Sequence, residues 1–465
     1  MIEWLNKHMK INDLMQKITS LAKRRGFIYP GSEIYGGLAG TYDYGPLGVA
    51  LKKNIKDSWW RKFIEDRTDM YGLDSSIVMS GLVWQASGHA EGFIDPMVED
   101  LVSGKRFRAD NLLEDLNFDM VGKTPEQMTE IIREHKVLSP DGNPLGEVRT
   151  FNMMLSTQVG AVEDSASKTF LRPETAQGIF VNFKNVVDSF SPKIPFGIGQ
   201  IGKAFRNEIT PRDFIFRVRE LEQMEIEYFV RPENWEKEFI YWKDEMLEWM
   251  NEIGLDMNHI HELEVALEDR AHYSKRTIDF EFDYPFGRKE LYGLAYRGDY
   301  DLSKHMEKSG ERLQILDQEN NEWFTPHVIE PSFGVERTVL ALIQSAYREE
   351  EIDGDIRSYL AFKPNMAPIK IAVSPLLRNK SELVEKAQEI FSLLKSEFGN
   401  IAWDDNGNIG KRYRRQDEIG TPFCVVIDFE SLEDSCVTVR DRNTTSQERI
   451  QIAGLVEYFK KQFKS

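Results

Sequence analysis

Hydrophobic positions recur at three-and-four spacing over residues 11–22, where Leu14, Met15, Ile18, Leu21 and Ala22 share one side; this predicts an amphipathic helix. Lys23, Arg24 and Arg25 follow at its C-terminal end, where the helix dipole favours cations. Residues 29–48, YPGSEIYGGLAGTYDYGPLG, hold no period and predict close-packed turns leading to Pro46. Helical spacing resumes over 49–64, with Trp59 and Trp60 suited equally to a subunit seam and to core packing. A short strand is expected at 77–79. From 83 to 169 the pattern breaks into small helices and polar loops around the turn DGNPLG, which reads as an insertion between core elements. Residues 170–173 read as a strand end and 175–183 as a turn or helix, with Glu174 at the junction.

Residues 200–230 form the centre of the pattern. A glycine turn is expected at 199–202, then two antiparallel strands joined by a loop carrying Pro211, Arg212, Arg217 and Arg219. On the closing run Met224, Ile226, Tyr228 and Val230 alternate with Glu225, Glu227 and Phe229, the period of a half-buried strand. Beyond it come a tryptophan-rich helix over 232–253, alternating strands at 277–283 and 290–297, and a strand from 326 that passes through PSFG into a helix over 335–347. Antiparallel strands with peripheral helices make an α+β body of residues 1–362. After the proline-flanked KPNMAP the pattern changes: strands at 369–373, 423–428 and 435–440 and helices at 381–398 and 448–459 predict a small α/β domain over 363–465.

Composition narrows the class. A chain of 465 residues, 41% hydrophobic and 29% charged, holds several domains and a large core. Two cysteines, Cys424 and Cys436, exclude a disulfide scaffold and a cysteine zinc cluster and suit a reducing, cytoplasmic compartment. No run of 18 uncharged apolar residues is present, so no membrane partner is expected. The net charge of -18 argues against a general nucleic-acid binder. Residues 365–465 are balanced, 15 Lys+Arg against 15 Asp+Glu, so the acidic excess lies in the body. This distribution is compatible with docking one specific nucleic acid, and equally with many metabolic enzymes.

Acid and base alternate beside glycine or proline at expected strand ends, in Arg172–Glu174, Arg206–Glu208 and Glu330–Arg337, with Glu290 and Arg297 on a further strand. Such arrays set guanidinium forks on phosphate oxygens and carboxylates on an amine or Mg²⁺. Ser332 adds a hydroxyl donor for a small polar substrate. No Walker-type loop is present. His89, His261, His272, His305 and His327 have no metal-ligand spacing, and zinc is not expected. On chemistry alone this is a nucleotide-using enzyme with an antiparallel core and an accessory domain.

FRNE…RVRE…EQMEIEYF resembles the second motif of class II aminoacyl-tRNA synthetases, EPSFGVER the third, and GPLG with the helix after it the first, which builds a dimer interface. With RPETAQG between the first and second, the order and spacing resemble the dimeric glycyl-tRNA synthetase family from about residue 25 to the end. The resemblance implies a class II catalytic core with an insertion, a C-terminal anticodon-binding domain, and a homodimer that uses ATP, Mg²⁺, glycine and tRNA-Gly. It implies that Arg206 clamps the α-phosphate, Glu208 holds the adenine amino group or its loop, Arg217 reaches the outer phosphates, Arg337 covers the adenine, and Glu290 faces Mg²⁺. Glu174, Glu330 and Ser332 match the residues that receive the glycine ammonium, and Arg297 the carboxylate end. Alanine would be excluded by clash. The tail residues Lys411, Arg412, Arg414, Arg415, Arg440 and Arg442 become tRNA candidates, or else ordinary surface charges. Two narrower readings stay open: an ATP-dependent adenylate or dinucleotide polyphosphate synthase on the same fold, and a non-catalytic tRNA-binding protein. One departure stands out. Leu221 occupies the position where the family has a phenylalanine under the adenine, so ATP binding is expected to be weaker unless another aromatic ring stacks there.

Overall fold

The computed structural model describes residues 2–463 apart from 121, 161–167, 210, 272, 318–320 and 353; side chains of residues 2–12 and of Lys168 are also outside the description. His272 and part of the expected insertion therefore lie outside the described residues. Among the described residues no helix is long and apolar enough to cross a membrane.

Helix α1 (Ile2–Arg24) buries Ile18, Leu21 and Ala22, the stripe read from the sequence. Helix α2 (Pro46–Trp60) starts on Pro46 at its first turn, where a missing N–H costs nothing, and ends in one wider turn over Arg61–Glu65. Trp59 is core: it is fully buried, edge-on to Phe333 at 6.0 Å. Val49 on the same helix stays exposed. The strand expected at 77–79 reduces to one bridge, Val78 to Leu171.

The body is built on β1 (Met70–Gly72), α3 (Ala176–Phe190), β2 (Phe196–Phe205), β3 (Glu220–Val230), α4 (Trp235–Ile253), β4 (Ile260–Glu264), β5 (Arg276–Tyr284), β6 (Gly287–Gly298), α5 (Tyr300–Ser309), β7 (His327–Gly334) and α6 (Val335–Ala346). These strands form one sheet in the order β4-β5-β6-β7-β3-β2-β1, antiparallel except for the parallel β1–β2 pair. The expected glycine turn at 199–202 is a correction: those residues run through β2, paired with Gln223–Ile226. The glycines are there because neighbours press on the strand. A Cβ on Gly199 would stand 2.4 Å from Ile64, and one on Gly202 would stand 2.2 Å from the guanidinium of Arg172.

β3 is also buried on both faces, not half-buried. Met224, Ile226 and Tyr228 join Trp59, Phe63, Trp242, Trp249 and Phe333 in the main core under α2, α4 and α6. On the other face Phe229 packs with Phe180, Phe183 and Phe196 beneath α3. Gln223, Glu225 and Glu227 precede it on that same face and are buried as well. The sheet thus has an oily end and a polar end on one face.

The expected insertion carries its own small core. Strands Ile94–Glu99, Arg106–Arg108 and Arg149–Asn152 form a three-stranded sheet. Val98, Leu113, Met128, Ile132 and Val148 pack together against it. Its helix Pro125–His135 opens on a capping box between Thr124 and Gln127.

The C-terminal unit comprises β8 (Ile371–Pro375), α7 (Ser381–Phe398), β9 (Ile401–Trp403), α8 (Ile409–Ile419), β10 (Phe423–Ile427), β11 (Cys436–Asp441), β12 (Gln447–Gln451) and α9 (Leu455–Gln462). Its sheet order is β9-β8-β10-β11-β12, parallel for the first three strands and antiparallel beyond. The helix expected over 448–459 is half strand: Val437 pairs with Ile450, and α9 begins only at Leu455. Residues 442–446, between β11 and β12, are consequently a hairpin turn, closed by Asp441, whose carboxylate accepts from the Thr444 amide at 2.8 Å.

Candidate active site

Two strand-end clusters converge on a cleft of about 380 Å³. β2 delivers Arg206 at its end, and the loop into β3 carries Glu208, Phe216 and Arg217. β6 contributes Glu290, and the step from β7 into α6 contributes Ser332, Gly334 and Arg337. Phe93, Asp95 and Arg108 of the insertion close the outer side.

The arginines are held from behind. Arg206 donates Nε to the carbonyl of Pro173 at 3.0 Å, and its guanidinium lies 5.6 Å from the Phe93 ring centre. Arg337 pairs with the Glu290 carboxylate at 3.0 Å and lies 4.5 Å over the ring of Phe216. The Arg337 charge holds the Glu290 carboxyl below its usual range. Arg217 stands 3.9 Å from Glu208; burial lowers its affinity for a proton. A polyanion entering this cleft supplies the counter-charge that burial withholds.

Behind the cleft, under α3 and α5, lies a pocket of buried carboxylates. Glu174 sits just before α3; its carboxylate accepts from Gln177 at 3.1 Å and lies 3.2 Å from Nε2 of His89. Burial opposes ionisation there, but the His89 ring, Arg297 and the Gln177 amide outweigh it and lower the Glu174 carboxyl. Glu225 accepts from Ser332 at 2.9 Å, from Gln223 at 3.2 Å and from the Thr175 hydroxyl. Arg297 is fully buried: Nε and Nη2 chelate Asp301 at 2.7 and 2.8 Å, Nη1 reaches Glu330 at 2.7 Å, and Tyr273 stacks on its face at 3.7 Å. Carboxylate oxygens of Glu225, Glu227 and Glu330 lie within 4.8 Å of one another. Burial pushes the Glu330 carboxyl up to about 8 even with Arg297 in contact, because Glu225 and Glu174 add like charge. A pocket so rich in carboxylate suits one small ammonium group.

A model of the class II tRNA synthetase core domain (G, H, P, S and T) matches residues 161–347, and an anticodon binding domain model matches residues 370–462. A glycine–tRNA ligase of Caldanaerobacter subterraneus is 50% identical over 464 residues, covering 98% of this chain and all of the relative. Glycine–tRNA ligases of Lachnospira eligens and Clostridium acetobutylicum are each 49% identical, over 97% and 98% of this chain and 99% and 100% of their own lengths. The chain belongs to the glycine–tRNA ligase family. The class II core and the C-terminal anticodon domain expected from the motifs are both present in this ligase family member.

The structure brings together Arg206, Glu208, Arg217, Leu221, Glu290, Ser332 and Arg337 around the cleft. Glu174, Arg297 and Glu330 meet in the pocket behind it; Arg297, expected at the carboxylate end of glycine, is instead fully buried and bonded to Asp301 and Glu330. Glu225, Glu227 and His89 join that pocket without having been singled out in the sequence. The only signal for the two glutamates was their place in the β3 alternation, read there as a solvent face. Arg172 is an internal brace: it donates to the carbonyls of Lys203 at 2.6 Å and Ser75 at 2.9 Å.

Leu221 lines the cleft, and Phe216 offers a ring to the same space. An aromatic face in place of Leu221 adds roughly 0.5–1 kcal/mol to purine stacking. Leu221→Phe is therefore expected to lower the KM for ATP in pyrophosphate exchange about threefold. An unchanged KM would assign the stacking to Phe216.

Three tail arginines require correction. Arg412, Arg440 and Arg442 are 3%, 6% and 2% exposed, not surface groups. Arg412 binds the carbonyls of Pro375 and Gly407, Arg440 grips Asp417 at 2.8 and 3.1 Å, and Arg442 reaches Phe362 O at 2.7 Å and Gly420 O at 2.6 Å. Arg412 and Arg442 thus satisfy backbone carbonyls left free at turns, and Arg440 a buried carboxylate. Lys411 and Arg414 remain exposed, the latter paired with Asp355 at 2.8 Å. Arg442→Ala is expected to destabilise the C-terminal unit by about 2 kcal/mol through the stranded carbonyls. A lower thermal midpoint with Arg442→Ala, and none with Arg414→Ala, checks this.

Proposed function

We propose that both steps of tRNA-Gly charging run at this site. The glycine carboxylate attacks the α-phosphorus of ATP in line and pyrophosphate leaves. The terminal ribose hydroxyl of the tRNA then attacks the adenylate carbonyl, and AMP leaves. No side chain becomes a covalent nucleophile; catalysis is positioning and charge stabilisation.

Arg206 holds the α-phosphate where charge develops, Arg217 the outer phosphates, and Glu208 the adenine amino group or its loop. Arg337 covers the purine, backed by the Phe216 ring, with Leu221 opposite. The glycine ammonium sits among Glu174, Glu225, Glu330 and Ser332, with Arg297 fixing Glu330 from behind. The observation that carries this reading is Ser332, which lines the cleft while its hydroxyl donates to Glu225 at 2.9 Å. The ammonium end of a bound amino acid is thereby next to the nucleotide.

Mg²⁺ suits Glu290. The carboxylate there is a hard oxygen donor with Glu281 opposite it across β5–β6, and burial among these negative charges pushes Asp279 up to about 7. When bound, the ion would neutralise the outer phosphates, while Arg337 keeps Glu290 oriented. The reading extends to a cytoplasmic homodimer built through the segment before and along α2, where Ile34 (88% exposed), Tyr35, Leu38 and Val49 present apolar surface. tRNA is taken to lie along the C-terminal unit, with Lys411 and Arg414 facing it.

Amino-acid-dependent pyrophosphate exchange tests the assignment. Exchange is expected with glycine and not with alanine. Silence with glycine alongside exchange with another amino acid would overturn it.

A further inference from the structure

Glu174, Glu225, Glu227, Asp301 and Glu330 are all less than a tenth exposed and share one pocket. Arg297 faces them from β6, but its hydrogen bonds go to Asp301 and Glu330. Glu225 is satisfied by Ser332, Gln223 and Thr175, and Glu174 by Gln177 and His89. Glu227 differs. It is fully buried, neither of its oxygens has a hydrogen-bond partner among the described residues, and one of them lies within 4.8 Å of carboxylate oxygens of Glu225 and Glu330. An unpartnered carboxylate in such a place does not stay ionised beside two others.

We propose that Glu227 and Glu330 retain one proton between them before glycine binds, and that the glycine ammonium displaces this proton to bulk water. This rests on the reading that the pocket receives the ammonium. Glu227 is a positioning residue: it touches Glu330 electrostatically and not the substrate. The groups facing the pair are Glu225 from β3, Arg297 from β6, Asp301 from α5, Glu174 from the turn before α3, and the Tyr273 ring. Burial raises the Glu227 carboxyl well above its usual range, with Glu330 adding like charge, and Glu330 itself is pushed up to about 8. One –NH₃⁺ enters, one O–H bond breaks, the proton goes to water, and the pocket keeps its charge.

The sign follows. Wherever the pair holds its proton, that proton competes with glycine, so the KM for glycine falls as pH rises. In pyrophosphate exchange at saturating ATP, the wild-type KM for glycine is expected to fall roughly tenfold from about pH 6.5 to 8. In Glu227→Gln the amide donates to Glu330 in place of the proton, and the same KM should change less than about twofold. Glu227→Asp, which keeps a carboxyl, should retain the wild-type slope. The KM for ATP should follow one profile in all three. Added to wild type without ATP, glycine should bleach a protonated-carboxyl C=O band in infrared difference spectra, and Glu227→Gln should show no such band. Parallel glycine profiles in wild type and Glu227→Gln, or no bleached band in wild type, overturn the proposal. Ser332→Ala and Glu225→Gln separate the two readings. If neither raises the KM for glycine, the pocket assignment itself fails. If both raise it while the Glu227→Gln profile parallels wild type, only the proton displacement fails.

Discussion

Arg206→Ala is expected to lower glycine-dependent pyrophosphate exchange by about 10²–10³ in kcat, the loss found when one preorganised donor to a developing charge is removed (about 2.7–4 kcal/mol). Its position at the end of β2 is fixed twice. The main chain donates to Arg219 O at 2.9 Å, and Nε donates to Pro173 O at 3.0 Å. The second bond joins the arginine to the segment that carries Glu174, tying the proposed phosphate clamp to the proposed glycine pocket. Because the α-phosphate gains charge only as the carboxylate attacks, the loss should fall on kcat more than on the KM for glycine. Arg206→Lys should recover little, since a point charge does not reproduce the planar fork. A variant with wild-type kcat would remove Arg206 from the chemistry.

What the sequence disclosed, and what it concealed, divides along one physical line. Helices α2, α4 and α7 and strand β5 were legible, since each has a period that burial of one side imposes. The clusters at strand ends were legible too, because glycine and proline mark where strands stop. Glu225 and Glu227 were not. Alternation on β3 reports that one face is apolar; it carries no information on whether the other face meets water or a helix brought from 50 residues upstream. That helix is α3, with Thr175 before it bonded to Glu225. Gly199 misled for a related reason: a glycine that leaves room for Ile64, where a Cβ would stand only 2.4 Å from it, looks, in one dimension, like a glycine that turns. Arg440 and Arg442 misled because a basic residue reads as surface until the partner, here Asp417 or a carbonyl, is folded against it.

Arg297→Met is expected to have the largest effect on stability, a loss of about 3–5 kcal/mol, typical of a buried ion pair broken from one side. The arginine is fully buried, and its three hydrogen bonds to described residues go to Asp301 and Glu330. Burial opposes its charge, yet Asp301 and Glu330 outweigh that and raise its pKa well above the usual value. Methionine matches much of the volume and can pack on the Tyr273 ring now 3.7 Å away, so the cost should come from stranded carboxylates and not from a cavity. A second substitution separates the two causes. Arg297→Met with Asp301→Asn removes the most tightly chelated charge along with its partner, and should recover more than half of the lost stability. The KM for glycine should stay elevated in both variants, because Glu330 lacks its anchor in each. A double variant no more stable than the single one would place the cost in packing, and a wild-type KM in either would mean that Glu330 is held for glycine by something other than Arg297.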